Sequence, residues 1–190
     1  MKDLLDTLAI IGEGKDDNYS KICNQLSGVL DQVGKGSFGT VFALSEERVL
    51  KVYKKYDIAY MAFLKVIQNS GSAHFPKIYN QGHYKKFHTV ILERVEPYSP
   101  LWGCAEAHVR SLREGFIGRT KGAVAASESL SETVCQALDS IAPLGQFFGL
   151  DIWQRNLGIR NRQLIFLDPI TNGRTSQEDF EERFYIPKAA

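Results

Sequence analysis

The sequence has 190 residues, of which 44% are apolar and 24% are charged. This composition suffices for one sizeable core or for two small lobes, and it argues against a disordered chain. The 23 basic and 22 acidic residues give a net charge of +1, so charge provides no case for an obligatory nucleic-acid or anionic-membrane partner.

The cysteines and the apolar stretches indicate a soluble protein of a reducing compartment. Cys23, Cys104 and Cys135 are scattered and form no Cys-x-x-Cys pair, so neither a disulfide framework nor a zinc site is predicted. No stretch reaches the about 18 uninterrupted apolar residues that a membrane span requires. Asp3 and Asp6 interrupt the apolar start, which does not resemble a signal peptide. We expect a cytoplasmic protein with no membrane partner.

The first part of the chain changes from helical to strand periodicity. Tyr19, Ile22 and Leu26 recur at helical spacing, which predicts a helical extension over residues 1–28. Residues 41–44 and 49–53 then alternate around a polar segment, a pattern typical of a β-hairpin. A glycine-rich turn therefore joins strands on both sides.

A helix, two strands and a linker follow. Apolar residues at i, i+3, i+4 and i+7 from Tyr60 predict a helix that ends near Gly71. Residues 77–84 and 87–93 are predicted as strands. Because the segment 96–100 contains two prolines, we interpret it as a linker. The predicted organisation is an N-terminal lobe over 29–96 and a reduced C-terminal lobe over 97–190.

Helical patterns and one short hairpin are predicted in the second half. Residues 115–126 are rich in glycine and are expected to form a loop. Ser129 and Glu132 fit a capping box ahead of an apolar stripe. Residues 157–159 and 164–167 flank a polar turn and predict a second hairpin. Asn156 and Asp168 lie at its two ends, so the hairpin would bring two oxygen ligands together.

An ordered series of residues suits nucleotide phosphates and a metal. It comprises Gly34-Lys35-Gly36-Ser37-Phe38-Gly39-Thr40-Val41, Lys51, Asp151 with Asn156 five residues later, and Asp168. Phosphoryl transfer requires a cover over the phosphates, a lysine, metal ligands and a carboxylate that orients the attacking hydroxyl. A dinucleotide-binding glycine motif would open a helix, whereas this one leads into a strand. Lys51 lies in an otherwise apolar strand, where a buried ammonium is costly without an anion.

These motifs resemble the protein-kinase-like superfamily over roughly residues 29–172. The resemblance implies an α+β, minimal two-lobed kinase-like fold, with an antiparallel sheet plus helix in the N-lobe and a truncated, mainly helical C-lobe. It implies ATP and Mg²⁺ as cofactors and Asp151 and Lys51 as catalytic residues. Metal ligands would be Asn156 and Asp168. Nucleotide-binding residues would be Gly34, Lys35, Gly36, Ser37, Phe38, Gly39, Val41, Lys51, and Glu93 and Val95 at the adenine.

Within that superfamily the chain is most similar to the small early serine/threonine kinases of autographivirus-type bacteriophages. The similarity lies in three segments: Phe75-Pro76-Lys77-Ile78-Tyr79, Thr89-Val90-Ile91-Leu92, and Asp168-Pro169. It implies an ATP-dependent kinase that phosphorylates proteins of a bacterial host, in the host cytoplasm. The oligomeric state is left open.

Departures from the kinase pattern keep two alternatives open. No acidic residue lies between Asp57 and Glu93, so Lys51 lacks the usual helix glutamate. This favours a pseudokinase-like binding module or an inhibitor of a host protein. Gly149 would fit a small-molecule phosphotransferase. Trp153 stands where kinases have a lysine, and Arg155 is a candidate to supply that positive charge to the transferring phosphoryl group.

Overall fold

The computed structural model describes residues 19–54, 57–84, 87–98, 105–121 and 130–172. They form an α+β protein, as predicted, with a five-stranded antiparallel sheet and several helices. The chain divides into two compact units, Met1–Asp57 with Lys77–Arg94 and Ile58–Pro76 with Val95–Ala190. We call these the first and the second unit. Within the described ranges, no helix combines the length and apolar character needed to cross a bilayer.

The first unit is built on the five-stranded sheet of β1 (Gln32–Lys35), β2 (Gly39–Ala43), β3 (Arg48–Tyr53), β4 (Ile78–Tyr84) and β5 (Phe87–Glu93). The strand order in the sheet is β1-β2-β3-β5-β4. All four neighbouring pairs are antiparallel. The predicted hairpins are confirmed because β2 pairs with β3 and β4 with β5.

Helix α1 (Tyr19–Ser27) forms a hydrophobic core with this sheet. It confirms the C-terminal part of the predicted extension, while residues 1–18 lie outside the described residues. Ile22 and Leu26 are almost fully buried, and burying a side chain of this size contributes about 1.5–3 kcal/mol. The sheet residues of the cluster are Phe42, Leu50, Val52, Phe87 and Ile91.

A buried histidine in β5 makes the first unit sensitive to acid. His88 is 8% exposed, and its ring centroid lies 5.4 Å from that of Tyr53 and 4.9 Å from that of His83. Among the described residues, its Nδ1 has no hydrogen-bond partner. Burial, and secondarily the charge of His83, lowers the pKa of His88 to about 4. The neutral imidazole is therefore the form compatible with the fold.

We expect this histidine to lower stability as the pH falls below 6.5. Between pH 6.5 and 4 the unfolded chain binds a proton that folded His88 does not, so the free energy of unfolding decreases with decreasing pH. A pKa shift of this size corresponds to a loss of about 2 kcal/mol between pH 7 and pH 5. Urea denaturation of the wild type and of His88→Phe at both pH values measures the loss. An equal loss in the variant would contradict the assignment.

The second unit contains three described helices, α2 (Ile58–Ser70), α3 (Ala105–Thr120) and α4 (Glu132–Ile141). Helix α2 confirms the predicted helix and ends before Gly71, whose φ is +60°, as is common for a helix C′ glycine. It lies within the predicted 29–96 lobe but is grouped with the second unit. Its contacts include α4, the 3₁₀ segment Ala142–Gln146 and strand β10 (Ile170–Thr171).

Two sequence expectations in this unit are wrong. Helix α3 continues through Gly115 and Gly118 to Thr120, where the glycine content predicts a loop; residues 122–126 of that loop lie outside the described residues. A Cβ added at Gly115 would lie 3.3 Å from Leu138 Cδ1, so the glycine permits close helix packing that offsets its poor helix propensity. The N-cap of α4 is Ser131 rather than Ser129, because the Ser131 side chain accepts from the Val134 N–H.

The short strands of the second unit carry the predicted second hairpin. Strand β8 (Leu157–Arg160) pairs with β9 (Gln163–Phe166), with Arg160 opposite Gln163. The two turn residues between them have φ values of 51° and 64°, as a type I′ turn requires. Strand β6 (Glu96–Pro97) joins β8, and β7 (Gly149–Leu150) pairs with β10. The hairpin prediction is confirmed.

Candidate functional site

The glycine-rich segment forms a tight turn between β1 and β2. The Gly36 N–H donates to the Gly39 carbonyl at 2.8 Å, and the Lys54 N–H donates to the Phe38 carbonyl at 2.7 Å. A Cβ on Gly39 would lie 2.6 Å from the Val52 carbonyl oxygen, so only glycine allows this close approach of β2 to β3. Lys35, the last residue of β1, and Ser37 in the turn are exposed. The turn thus presents accessible backbone next to a tightly packed strand pair.

Helix α1 is connected to this strand pair by a tyrosine hydroxyl. Tyr19 Oη lies 2.8 Å from Thr40 Oγ1 and 3.2 Å from the Val52 carbonyl oxygen. Thr40 is buried. Burial is the main cause that raises the pKa of Tyr19 to about 12, so the phenol remains a hydrogen-bond donor over the physiological range. Tyr19 therefore holds together the two strands next to the glycine turn.

Lys51 lies in β3, directly opposite Val41 of β2 and Val90 of β5. Its side chain is half-buried, and Nζ lies 5.0 Å from the centroid of the Tyr53 ring. A cation–π contact of this kind offsets part of the desolvation of the ammonium group. The sheet register therefore places Lys51 and Val41, which belong to two of the sequence motifs, on neighbouring strands of the first unit.

The two residues predicted at the adenine lie in different units. Glu93 ends β5 in the first unit, where its N–H donates to the Lys77 carbonyl at 2.9 Å and its Oε2 accepts from the Lys77 N–H at 3.0 Å. Val95 belongs to the second unit. Its Cγ2 lies 2.6 Å from the position that a Cβ on Gly158 would take, so that glycine makes room for it.

In the second unit, Asp151 and Asn156 are joined directly. Asn156 Nδ2 donates to the Asp151 carbonyl oxygen at 2.7 Å and to Asp151 Oδ2 at 2.8 Å. Both partners are acceptors, so the amide nitrogen must face them and the amide oxygen must face away. Asp151 is half-buried. Asn156 therefore fixes the orientation of the carboxylate while directing its own Oδ1 elsewhere.

Backbone hydrogen bonds bring Asp168 to the same place. The Asn156 carbonyl accepts from the Leu167 N–H at 2.8 Å and from the Asp168 N–H at 3.4 Å. The Asp151 N–H donates to the Pro169 carbonyl at 2.8 Å. The residues flanking Asp168 are thus bonded to both other members of the group. The structure brings together Asp151, Asn156 and Asp168, which are separated by up to 17 positions in the sequence.

The donor set of this cluster fits a hard divalent cation that retains other ligands. Asn156 Oδ1 and the Asp168 carboxylate are oxygen ligands of the kind that Mg²⁺ prefers. Within the described ranges, no group of three or more His, Cys, Asp or Glu residues is arranged to hold a metal ion. Mg²⁺ usually binds through one or two carboxylates plus water and substrate phosphates, so two protein oxygens suit it and do not suit a structural zinc.

Arg155 forms an ion pair at the outer side of the cluster. Its Nη2 lies 3.5 Å from Asp151 Oδ1, and its side chain is 74% exposed. An exposed pair of this length contributes at most about 1 kcal/mol, because solvent screens it and ordering the long side chain costs entropy. Arg155 can therefore leave Asp151 at little energetic cost when another group approaches the carboxylate.

No protein-family model matches the chain, and no curated protein is similar enough to it to count as a match. The assignment of this cluster therefore depends on its own chemistry and geometry.

Two contacts at these sites were not predicted from the sequence. The spacing of Tyr19 predicts a helix, but nothing local indicates that its hydroxyl reaches Thr40, which lies 21 residues away. Arg113 of α3 lies over the ring of Trp153, with 4.1 Å from the guanidinium carbon to the ring centroid. The apolar character of Trp153 in a polar loop was the only available signal.

Proposed function

We propose that this chain is an ATP-dependent serine/threonine protein kinase that uses Mg²⁺. The proposal extends to the fold, in which the five-stranded first unit and the mainly helical second unit would be the two lobes of a minimal kinase-like domain. The observation that carries the proposal is the cluster of Asp151, Asn156 and Asp168, held together by side-chain and backbone hydrogen bonds.

The first unit would bind the nucleotide phosphates. The exposed turn at Gly36 offers backbone that a phosphate can approach closely. Lys51 supplies positive charge on the neighbouring strand β3. Lys35, the last residue of β1, and Ser37 in the turn are exposed and would add one charge and one hydroxyl donor. Backbone groups of Glu93 and Val95 are the proposed adenine contacts.

The second unit would prepare the acceptor hydroxyl. Asp151 would accept or orient the proton of a serine or threonine hydroxyl, with one carboxylate oxygen held by Asn156. Since Asn156 binds Oδ2, Oδ1 is the atom that meets the hydroxyl, and Arg155 must move aside from it. The displaced guanidinium remains near the reacting group as a positive charge. Asn156 Oδ1 and the Asp168 carboxylate would hold Mg²⁺, which when bound neutralises charge on the phosphates.

The class of acceptor follows from the sequence resemblance. The similarity to small early kinases of autographivirus-type bacteriophages leads us to propose bacterial host proteins as the substrates. The same resemblance suggests that the chain acts in the host cytoplasm.

The experiment that tests the function is transfer of labelled phosphate from ATP with Mg²⁺ into a bacterial lysate. We expect label on serine and threonine residues, identified by phosphopeptide mass spectrometry, and its loss in Asp168→Ala. The matched control is Asp139→Ala, which removes an exposed carboxylate paired with Arg119 in the same unit and should leave transfer intact.

The other outcomes separate the competing functions. A folded wild type that binds ATP but labels no protein would favour a kinase-shaped binding module. Label on small hydroxylated compounds, with none on proteins, would favour a small-molecule phosphotransferase. Transfer that persists in Asp168→Ala would contradict the proposed metal ligand.

A further inference from the structure

In the sequence, an exposed tryptophan lies between Asp151 and Asn156, and it has no role in the proposed phosphoryl transfer. Trp153 is 48% exposed, while the preceding Ile152 is fully buried. The backbone N–H of Trp153 donates to the Asp151 carbonyl at 3.0 Å. A large exposed ring two residues from the proposed catalytic carboxylate in the sequence is a candidate contact for an acceptor that approaches that carboxylate.

The ring is covered on one face by an arginine. The guanidinium of Arg113 is 4.1 Å from the ring centroid. Stacking on an aromatic face restricts the guanidinium to one plane and leaves its edge donors able to bind a carboxylate bidentately. Arg155, two residues after Trp153, adds a second guanidinium that is 74% exposed. We call Arg113, Trp153 and Arg155 together the Trp153 platform.

The loop that carries the Trp153 platform is anchored to its surroundings. Gln154 Nε2 donates to the Tyr98 carbonyl at 3.2 Å, and the Tyr98 N–H donates to the Leu157 carbonyl at 3.2 Å. Tyr98 Oη lies 3.0 Å from His108 Nδ1 on α3. Burial raises the pKa of Tyr98 and lowers that of His108, which favours the neutral form of both side chains in this hydrogen bond. The loop and α3 are therefore held together before any acceptor binds.

We propose that the Trp153 platform selects acceptor segments with an aspartate or glutamate close to the phosphorylated hydroxyl. This inference rests on the proposed function and specifies its substrate class. Arg113 would bind the acidic side chain, and the exposed part of the indole would cover the adjoining backbone. A basic acceptor residue would meet two guanidinium groups and be disfavoured.

The test uses peptides that differ only in the residues flanking one serine, with aspartate, asparagine or lysine placed in turn at each of the three positions on either side. Both kcat/KM for phosphate transfer and equilibrium binding by fluorescence anisotropy are measured. At the best position we expect aspartate to be preferred over asparagine by about 10-fold, the usual effect of a charge-assisted hydrogen bond.

Substitutions then assign the preference to the platform. Arg113→Gln should abolish the aspartate preference, because glutamine cannot form the charge-assisted bond to the acidic side chain. Arg113→Glu should favour the lysine peptide. The control is Arg48→Gln, which removes another arginine that stacks on an exposed aromatic ring, that of Tyr79 in the first unit. Circular dichroism verifies that each variant is folded.

The results separate this inference from the proposed function. Equal binding of aspartate and asparagine peptides by the wild type would overturn it, as would a preference that survives in Arg113→Gln. If the wild type transfers phosphate without this discrimination, the inference alone fails. If it binds acidic peptides through Arg113 but transfers no phosphate, the proposed function fails and the Trp153 platform stands as a peptide-binding surface.

Discussion

Replacement of Asp151 by asparagine is expected to lower phosphate transfer by about 100- to 10,000-fold, the usual contribution of a positioned acid–base group. The introduced amide keeps the shape of the side chain and an oxygen that can accept from Asn156 Nδ2, so the fold of the loop should be preserved. Because the carboxylate acts on the acceptor hydroxyl rather than on the nucleotide, ATP affinity should change by less than about twofold. Single-turnover transfer and calorimetric ATP titration measure the two quantities separately.

The control for this variant is Asp139→Asn in helix α4. Asp139 carries an exposed carboxylate 2.5 Å from Arg119 Nε, so the same chemical change is made at an ion pair outside the cluster. Normal transfer by Asp139→Asn together with a large loss in Asp151→Asn would support the assigned role. A fully active Asp151→Asn protein would contradict that role.

Substitution of Gly39 by alanine is expected to lower the free energy of unfolding by about 1–3 kcal/mol, as overpacking in a filled site does. The added Cβ would lie 2.6 Å from the Val52 carbonyl oxygen and 3.4 Å from Tyr53 Cα. Both atoms belong to the backbone of β3, which cannot move aside without disturbing its pairing with β5. Chemical denaturation followed by circular dichroism measures the loss.

Gly36→Ala is the matched variant in the same turn. Among the described residues, a Cβ at Gly36 would find only the Gly39 carbonyl oxygen, at 4.0 Å, so the fold should tolerate it, with a change in stability of less than about 1 kcal/mol. If the turn covers phosphates, this variant should weaken ATP binding because the methyl group blocks close approach of the backbone. Equal stability of the two variants would show that the β2–β3 contact at Gly39 is not restrictive.

Local sequence patterns predicted the strands and turns that carry the residues of both candidate sites. The predicted second hairpin also placed Asn156 close to Asp168. The β8–β9 hairpin was predictable because two apolar runs flank a short polar turn. Once that hairpin is assumed, Asn156 and Asp168 must lie at the same end of it. The hydrogen bond from Asn156 to Asp151 joins residues that are close in sequence, across the short 3₁₀ turn Gln154–Asn156.

The contacts that were not predicted join residues far apart in sequence. Gly115 favours a loop by its own propensity, but it lies in helix α3, where the absence of a side chain allows the Leu138 side chain to pack closely against the helix. The stacking of Arg113 on Trp153 depends on how α3 lies against the loop, and no local pattern encodes this. Tertiary packing therefore decided the elements where the sequence offered only weak or conflicting preferences.

The turn between β8 and β9 has a consequence for how this chain can vary. Surface turns usually tolerate inserted residues. Here the two-residue turn determines which residue of β8 faces which residue of β9, and a shift of one position would reverse the faces of every side chain on the strand. Asn156 and Asp168 would then separate although the site itself was untouched. The turn therefore sets the register that keeps Asn156 and Asp168 together, although it lies at the opposite end of the hairpin from them.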